Sequence, residues 1–393
     1  MRRRHGHAHV FAFFLFVAAF FVLRPAEAVE HNVAGSAQLD YFFAPTASDA
    51  NANAGKFGTF DGFTVEAAMK LSVDVSPHLS GNVKVCFGCH GFEADMFYFD
   101  LRAVDELNLR IGRFSPSFGA FNLRHDPANH KFSDKPLPYD MGRMLRKNVW
   151  GNGVLPAPFP DNGAEIDGTH FFGDAAQMDY AIYAVMGFRN DQPNPTDLNF
   201  QEAHIPNYFV DNNARPAAGA RLALTLRASA STDATVGVSG MFGTYDPDND
   251  LTYAIAGADV AVRVQRTNFR AEALVRRTQF DTSNPAIFKY ALSPADGDFF
   301  MKDGAYVEAE QPIIRDLDFL ARVDGMLRMG NVLATSPLTD KSSVVRESLG
   351  LAYAVERNFR LKTSGELWQF SDRDPETGRR LEVGAHLGAV ATF

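Results

Sequence analysis

Apolar and polar residues alternate along most of the chain with a period of two. In the stretch FTVEAAMKLSVDV, residues 63–75, every second position is apolar, whereas Glu66, Lys70 and Asp74 share the other face. The stretch LDFLARVDGMLRM, residues 317–329, repeats the pattern with charges on alternate positions. This period predicts β-strands with one apolar and one polar face. Because charges at this density cannot face a dry core, the polar face must meet water or other charges.

The connections between these strands indicate how the strands are arranged. Turn signals divide the chain into about sixteen strands, and the connections alternate strictly between short and long. The short connections lie near residues 76–80, 104–106, 173–175, 231–233, 265–267, 313–316 and 356–358. The long connections include residues 45–60, 115–162, 189–215, 281–300 and 330–342. A soluble sandwich explains two-faced strands but not this asymmetry, which is typical of membrane barrels with tight turns at one end and long loops at the other.

The N-terminus has the pattern of an export signal. Three arginines precede the apolar run VFAFFLFVAAFFVL, and small residues at Ala26 and Ala28 follow it. The run is shorter than the roughly 20 residues of a spanning helix, so we expect a cleaved signal peptide over residues 1–28. Its removal takes away four arginines and one glutamate, which moves the formal charge from −9 to −12. This acidic balance does not suit a nucleic-acid partner.

These observations predict an all-β fold, a transmembrane antiparallel up-and-down β-barrel of about 16 strands. It occupies residues 29–393, and we expect the long connection near 115–162 to fold into its lumen.

Two short motifs carry a resemblance to a known family. The final strand LEVGAHLGAVATF ends on Phe393 and resembles the terminal strand by which bacterial outer-membrane porins are recognised for insertion. The stretch LNLRIGRFSPSFGAFN, residues 107–122, is similar to the strand and loop entry of phosphate-selective porins. The resemblance implies a Gram-negative outer-membrane porin whose partners are membrane lipid and small solutes. It does not distinguish a monomer from a trimer.

Both cysteines of the chain lie in the stretch CFGCH, as Cys86 and Cys89, with His90 directly after them. This is the attachment pattern of c-type haem, in which two thiols bind the haem vinyl groups and the histidine is the proximal iron ligand. The sequence therefore predicts one covalent haem c. A local disulfide in an oxidising periplasm is the main alternative, and a zinc site would need a fourth ligand.

A haem iron has a second axial position, and the 115–162 connection offers candidates for it. They are His125, His130, Met141 and Met144. On the strand NVKVCFG, residues 82–88, Val83, Val85 and Phe87 share the apolar face. We therefore expect Cys86 to point into the lumen.

The same connection is basic within an acidic protein. Its cluster Arg143, Arg146 and Lys147 predicts a pore lining that favours anions or meets haem propionates. Solvated loop charges or contacts with anionic lipopolysaccharide are the alternatives.

The sequence favours a porin for small solutes, with anions preferred, that carries one haem and performs no catalysis; no nucleophile elbow or other catalytic motif is present. One alternative is an outer-membrane haem protein that exchanges electrons with a surface partner and needs further cytochromes. Another is a structural barrel plugged by its loops, with a disulfide between Cys86 and Cys89.

Overall fold

The computed structural model describes residues 30–47, 60–88, 91–141, 143–146, 150–189, 210–281, 298–330, 341–374 and 377–393. The predicted signal peptide lies outside these residues. Sixteen strands form one closed antiparallel barrel, in which every strand pairs with its neighbours in sequence.

The first eight strands have the following bounds: β1 Glu30–Ala44, β2 Phe60–Ser76, β3 Leu79–Gly88, β4 Gly91–Val104, β5 Leu107–Phe114, β6 Asp161–Phe172, β7 Ala176–Val185 and β8 Ala217–Ser229. The remaining eight are β9 Thr232–Thr244, β10 Thr252–Val264, β11 Thr267–Gln279, β12 Phe299–Ile314, β13 Leu317–Gly330, β14 Lys341–Glu356, β15 Phe359–Phe370 and β16 Leu381–Thr392.

The barrel closes where the first strand meets the last. Ser36 of β1 lies opposite Thr392 of β16, and the register continues to Phe43 opposite Ala385. The terminal residue completes the seam, because Phe393 exchanges two backbone hydrogen bonds of 3.0 and 3.1 Å with Gly35. Closure of this kind leaves no unpaired strand edge, which a barrel in lipid requires.

The alternating pattern places charges inside and apolar residues outside, as predicted. On β13, Arg322 and Asp324 are each 2% exposed, whereas Val323 between them is 52% exposed. Val65 and Leu71 of β2 also face outward. An outer wall of this composition suits contact with lipid chains. Among the described residues, no helix has the length and apolar character needed to cross a bilayer.

Most connections match the predicted short and long alternation, with one correction. We call the end with tight connections the turn end and the opposite end the loop end. Gly88 ends β3 and Gly91 begins β4 at the loop end, so only two residues separate these strands. The alternation is therefore not strict, and Cys86, the first residue of the CFGCH motif, lies two positions before the end of β3.

The longest described connection folds into the barrel. We call residues 115–160, between β5 and β6, the lumenal segment. It contains two short 3₁₀ turns, Asn122–Arg124 and Leu137–Tyr139. Its apolar side chains pack with inward-facing residues of the wall in one core, which includes Phe118, Phe121, Leu137, Tyr139, Leu155 and Phe159 from the segment and Tyr253, Ile255, Leu274, Met326 and Trp368 from the wall.

Candidate functional site: the lumen and its inserted segment

Carboxylates of the wall bind backbone amides of the lumenal segment. Glu272 of β11 accepts hydrogen bonds from the amides of Ala120 at 2.9 Å and Phe121 at 3.1 Å. The Tyr139 hydroxyl also donates to it at 2.5 Å. Burial, and then the adjacent Glu272 carboxylate, hold the pKa of Tyr139 well above its usual range, so the phenol stays protonated and remains a donor.

Two further wall carboxylates repeat this arrangement. Glu165 of β6 accepts from the Ser117 amide at 2.7 Å, and Asp324 of β13 accepts from the Leu137 amide at 2.9 Å. Most of the segment lacks regular secondary structure, so its backbone amides need hydrogen-bond acceptors of this kind once they are buried.

Cations of the wall bind carbonyl oxygens of the segment. The contacts are Lys302 Nζ to Trp150 O at 3.1 Å and Asn152 O at 2.9 Å, Lys362 Nζ to Pro127 O at 2.8 Å and Phe132 O at 3.2 Å, and Arg276 Nη1 to Val154 O at 3.0 Å. Charged donors and acceptors make stronger hydrogen bonds than neutral ones. The wall therefore fixes the path of the segment through both kinds of backbone group.

One buried carboxylate of the segment joins two arginines of the wall. Asp134 accepts from Arg322 Nη2 at 2.6 Å and also pairs with Arg346. Burial opposes ionisation of Asp134, but the two guanidinium groups outweigh it and hold its pKa well below its usual range. Arg322 also lies over the Phe132 ring, 4.3 Å from its centroid. The carboxylate is therefore a charged anchor of the segment.

Two of the three predicted pore-lining cations, Arg143 and Arg146, are paired with carboxylates. Arg143 Nη1 lies 3.2 Å from Asp40 Oδ2, and Arg146 Nη2 lies 2.7 Å from Glu382 Oε1. The Arg146 side chain is 3% exposed and also lies over the Phe370 ring. Lys147 lies outside the described residues. In this conformation, Arg146 secures the segment and does not face an open aqueous path.

The ion pairs of the segment are confined to one side of the barrel. Those between described residues of the segment and the wall reach only β1, β2, β3, β12, β13, β14 and β16. We call this set of strands the ionic arc. Strands β7–β10 lie on the opposite side, where the Gly119 amide donates a hydrogen bond to Ser239 Oγ at 3.0 Å. The other contacts between these strands and the described residues of the segment are apolar. We call these four strands the apolar arc.

Cys86 lies inside a small charged cluster at the loop end. Its Sγ is 3.4 Å from Asp95 Oδ2. The neighbouring Lys84 Nζ lies 3.0 Å from Asp95, 2.5 Å from Asp126 and 3.0 Å from His125 Nε2. The lysine thus fastens the segment to β3. The thiol points inward, as strand alternation predicts.

His125 and Asp126 are the members of this cluster that belong to the segment, and the shifts of their pKa values follow from those contacts. Burial and the Lys84 ammonium lower the pKa of His125. Burial opposes ionisation of Asp126, but the Lys84 ammonium, which donates to it, outweighs the burial and lowers its pKa. His125 Nδ1 lies 2.6 Å from the Asn122 carbonyl, so this nitrogen carries the proton, and Nε2 accepts from Lys84.

These surroundings do not fit a haem. A porphyrin is a broad, mainly apolar plate, whereas the described contacts of Cys86 and its neighbour Lys84 are with carboxylates and an imidazole. The lone pair of His125 that would face an iron is directed at Lys84. Cys89 and His90 lie outside the described residues, so the haem prediction as a whole stays untested.

Two of the other axial candidates, His130 and Met144, contact residues outside this cluster. His130 is 3% exposed, its Nδ1 donates to the Phe132 carbonyl at 2.8 Å, and its ring faces Phe121. Burial, and then the nearby cations of Lys362 and Arg124, hold the pKa of His130 well below its usual range. Met144 is fully buried in the apolar core. Met141 is half-buried.

Three potential metal ligands also meet in the lumen, namely Asp134, Glu366 and His386, whose ligand atoms lie within 4.8 Å of one another. Arg346 pairs with both carboxylates, at 3.2 Å to Glu366. The positive charge already between them disfavours a metal ion. We interpret the group as part of the charged anchor.

The sequence pattern did not identify the wall residues that bind the segment. Glu272, Asp324 and Arg346 were recognisable only as charged residues at inward positions. Charge complementarity between these positions and the basic connection was the available signal.

Comparisons with known proteins bear on the fold. Neither a family model nor a curated protein matches the sequence. Among solved structures, the anion-selective porin from Comamonas acidovorans has a TM-score of 0.57 at 10% identity, covering 93% of this chain and 100% of that one. The outer-membrane channel DcaP of Acinetobacter baumannii has a TM-score of 0.57 at 13% identity, covering 94% and 99%. OmpF of Salmonella typhi, in complex with daunomycin, has a TM-score of 0.55 at 12% identity, covering 92% and 97%. The chain is therefore similar in fold to outer-membrane porins and channels.

Proposed function

We propose that the protein is an outer-membrane channel for small solutes whose lumen is narrowed by the segment 115–160. The observation that carries the proposal is the charged inner wall that holds this segment inside a closed sixteen-stranded barrel. A channel requires a lumen wider than its own wall side chains can fill, and a barrel of this size supplies one. The inserted segment then sets the width of the opening.

A preference for anions is not part of the proposal. Arg143 and Arg146 are neutralised by Asp40 and Glu382, so they offer a passing anion little uncompensated charge. Resemblance to a phosphate-selective porin likewise stays a prediction from the sequence.

Single-channel recording of the purified protein in planar bilayers tests the proposal. We expect discrete, small conductance steps. A variant in which a short Gly-Ser linker replaces residues 117–158 should give larger steps, because the obstruction is removed. If the unmodified protein does not conduct although it shows the heat-resistant fold of a barrel on electrophoresis, and the linker variant does conduct, the channel proposal is wrong and the chain is a plugged structural barrel.

Covalent haem attachment at Cys86, Cys89 and His90 stands beside this proposal as an untested prediction. It is measured on protein made together with the haem-attachment machinery, by haem absorbance that survives denaturing electrophoresis. A band that disappears in Cys86→Ser would establish the haem and require the charged cluster around Cys86 to rearrange. Its absence from the unmodified protein would remove the cofactor and any electron-transfer role, and would leave the channel proposal unchanged.

A further inference from the structure

The lumenal segment is held unequally on its two sides. On the ionic arc, Asp134, Arg143 and Arg146 take part in buried ion pairs. Separating such a pair leaves an uncompensated charge in a buried site, which is strongly unfavourable. On the apolar arc, the contacts are non-directional, so side chains can slide without exposing a buried charge. Any opening beside the segment is therefore favoured along the apolar arc.

Aromatic rings form the closure on that side. Phe118 of the segment is fully buried and lies against Gly257 of β10, where an added Cβ would come within 3.3 Å of its ring. Phe159 packs against Phe188 at a centroid distance of 5.3 Å, and Phe188 packs against Tyr253 at 4.4 Å. The closure thus consists of aromatic rings packed beside a wall that carries no side chain at Gly257.

The apolar arc changes character from the loop end to the turn end. Along β10, the inward residues run from Tyr253 and Ile255, which are buried in the apolar core, through Gly257 to Asp259. Asp259 forms a bidentate pair with Arg221 of β8, at 2.6 and 2.9 Å. A molecule moving along this arc would meet apolar surface first and a paired charge next.

A hydrogen-bonding group also lies on this arc with no partner among the described residues. Tyr183 of β7 is 5% exposed, its ring lies over Gly219, and its hydroxyl makes no hydrogen bond. A buried hydroxyl without a partner costs free energy that a polar substituent on a ligand could recover.

We propose that solutes cross along the apolar arc, between Phe118 and strands β7–β10, and that the path favours small solutes carrying an aromatic ring together with a polar or charged group. The ring replaces contacts between aromatic side chains in the closure. The polar group is met by the Tyr183 hydroxyl and the Arg221–Asp259 pair. This inference rests on the proposed channel function and adds to it a location and a solute class.

Flux from liposomes tests the inference with two monovalent anions, benzenesulfonate and gluconate. We expect benzenesulfonate to pass faster by roughly threefold or more, a ratio within reach of one apolar contact. Phe118→Ala should lower the ratio because a wider opening discriminates less, and Phe118→Leu should lower it without a large change in cavity volume. The matched control is Phe132→Ala, also a buried segment phenylalanine but on the ionic arc, which should keep the ratio.

A ratio near one in the unmodified protein, or a shift in Phe132→Ala as large as that in Phe118→Ala, would overturn the inference while leaving a channel. Absence of flux for both anions in every variant would overturn the channel proposal as well.

Discussion

Tyr139 and Glu272 lie 133 positions apart in the chain, yet the phenol donates a 2.5 Å hydrogen bond to the carboxylate inside the barrel. The same carboxylate accepts from two backbone amides of the segment and from the Tyr306 hydroxyl at 3.2 Å. One wall side chain thus binds two separate parts of the segment, residues 120–121 and residue 139. The segment is held as a folded unit and not as a loop lying loosely in a pore.

Glu272→Gln should weaken this attachment. The glutamine keeps the shape, but its NH₂ group cannot accept from an amide or a phenol, so buried donors lose their partner. We expect a loss of about 3 kcal/mol in the free energy of unfolding, measured by denaturant titration in lipid vesicles. Glu347→Gln is the control, because Glu347 on β14 faces outward and, among the described residues, accepts only from Gln369, at 3.1 Å. Equal losses in both variants would contradict a special role for Glu272.

Asp134 and Arg346 should be energetically coupled. Asp134→Asn and Arg346→Gln each deprive a buried charge of one of its partners, and we expect each to cost about 3–5 kcal/mol. The double variant should cost less than the sum, because it removes both members of the pair. A double-mutant cycle of unfolding free energies gives the coupling. Strict additivity would show that the pair does not anchor the segment.

Arg146→Gln should change the size of the conductance more than its ion preference. The substitution removes the Arg146 cation from the buried Glu382 carboxylate and loosens the segment. We expect larger and more variable conductance steps, with the reversal potential in a salt gradient nearly unchanged. Arg263→Gln is the matched control, since Arg263 is 44% exposed and pairs with Asp233 at the turn end. A shift away from anions in Arg146→Gln alone would restore the prediction of an anion-selective lining.

Acidification should loosen the segment through its buried histidines. The pKa values of His125 and His130 are lowered by burial and nearby cations, whereas an unfolded histidine titrates near pH 6.5. Below about pH 6.5 the unfolded state therefore binds more protons than the folded state, and stability falls as pH falls. Hydrogen exchange of segment amides at pH 7.5 and pH 5, corrected for the intrinsic rate, should show weaker protection at pH 5.

Substitution identifies the histidine that causes the loss of amide protection at pH 5. His130→Asn keeps a donor for the Phe132 carbonyl but does not titrate, so it should reduce the loss of protection on acidification. His170→Asn, at a solvent-exposed imidazole on β6, should leave that loss unchanged. An unaltered pH response in His130→Asn would assign the effect to other groups.

Much of the barrel follows from local sequence. The alternation of Arg322, Val323 and Asp324 is sufficient to place two charges inside and the valine outside, because successive side chains of a strand point to opposite faces. The same rule placed Cys86 on the inner wall. Turn residues then divided the chain into about sixteen strands, and nearest-neighbour pairing of so many two-faced strands favours closure.

The hairpin at Gly88 and Gly91 was less predictable. Residues 89 and 90 follow a strand that continues without a turn signal other than glycine, so the pattern left the length of the connection open. The strand register of β3 against β4, which runs to Gly88 opposite Gly91, decides it.

The arrangement inside the lumen was decided by tertiary structure. The basic residues of the 115–162 connection were visible in the sequence, but Arg146 meets Glu382 across 236 positions. Strand periodicity states which face a residue occupies and does not state which part of a distant, irregular segment will lie opposite it. For the same reason the apolar residues Phe118 and Phe159 showed no period that marked them as a core. Pairing over such separations depends on the closed geometry of the barrel, which brings all sixteen inner faces around one volume, and only there do the charges, the aromatic rings and the segment acquire their partners.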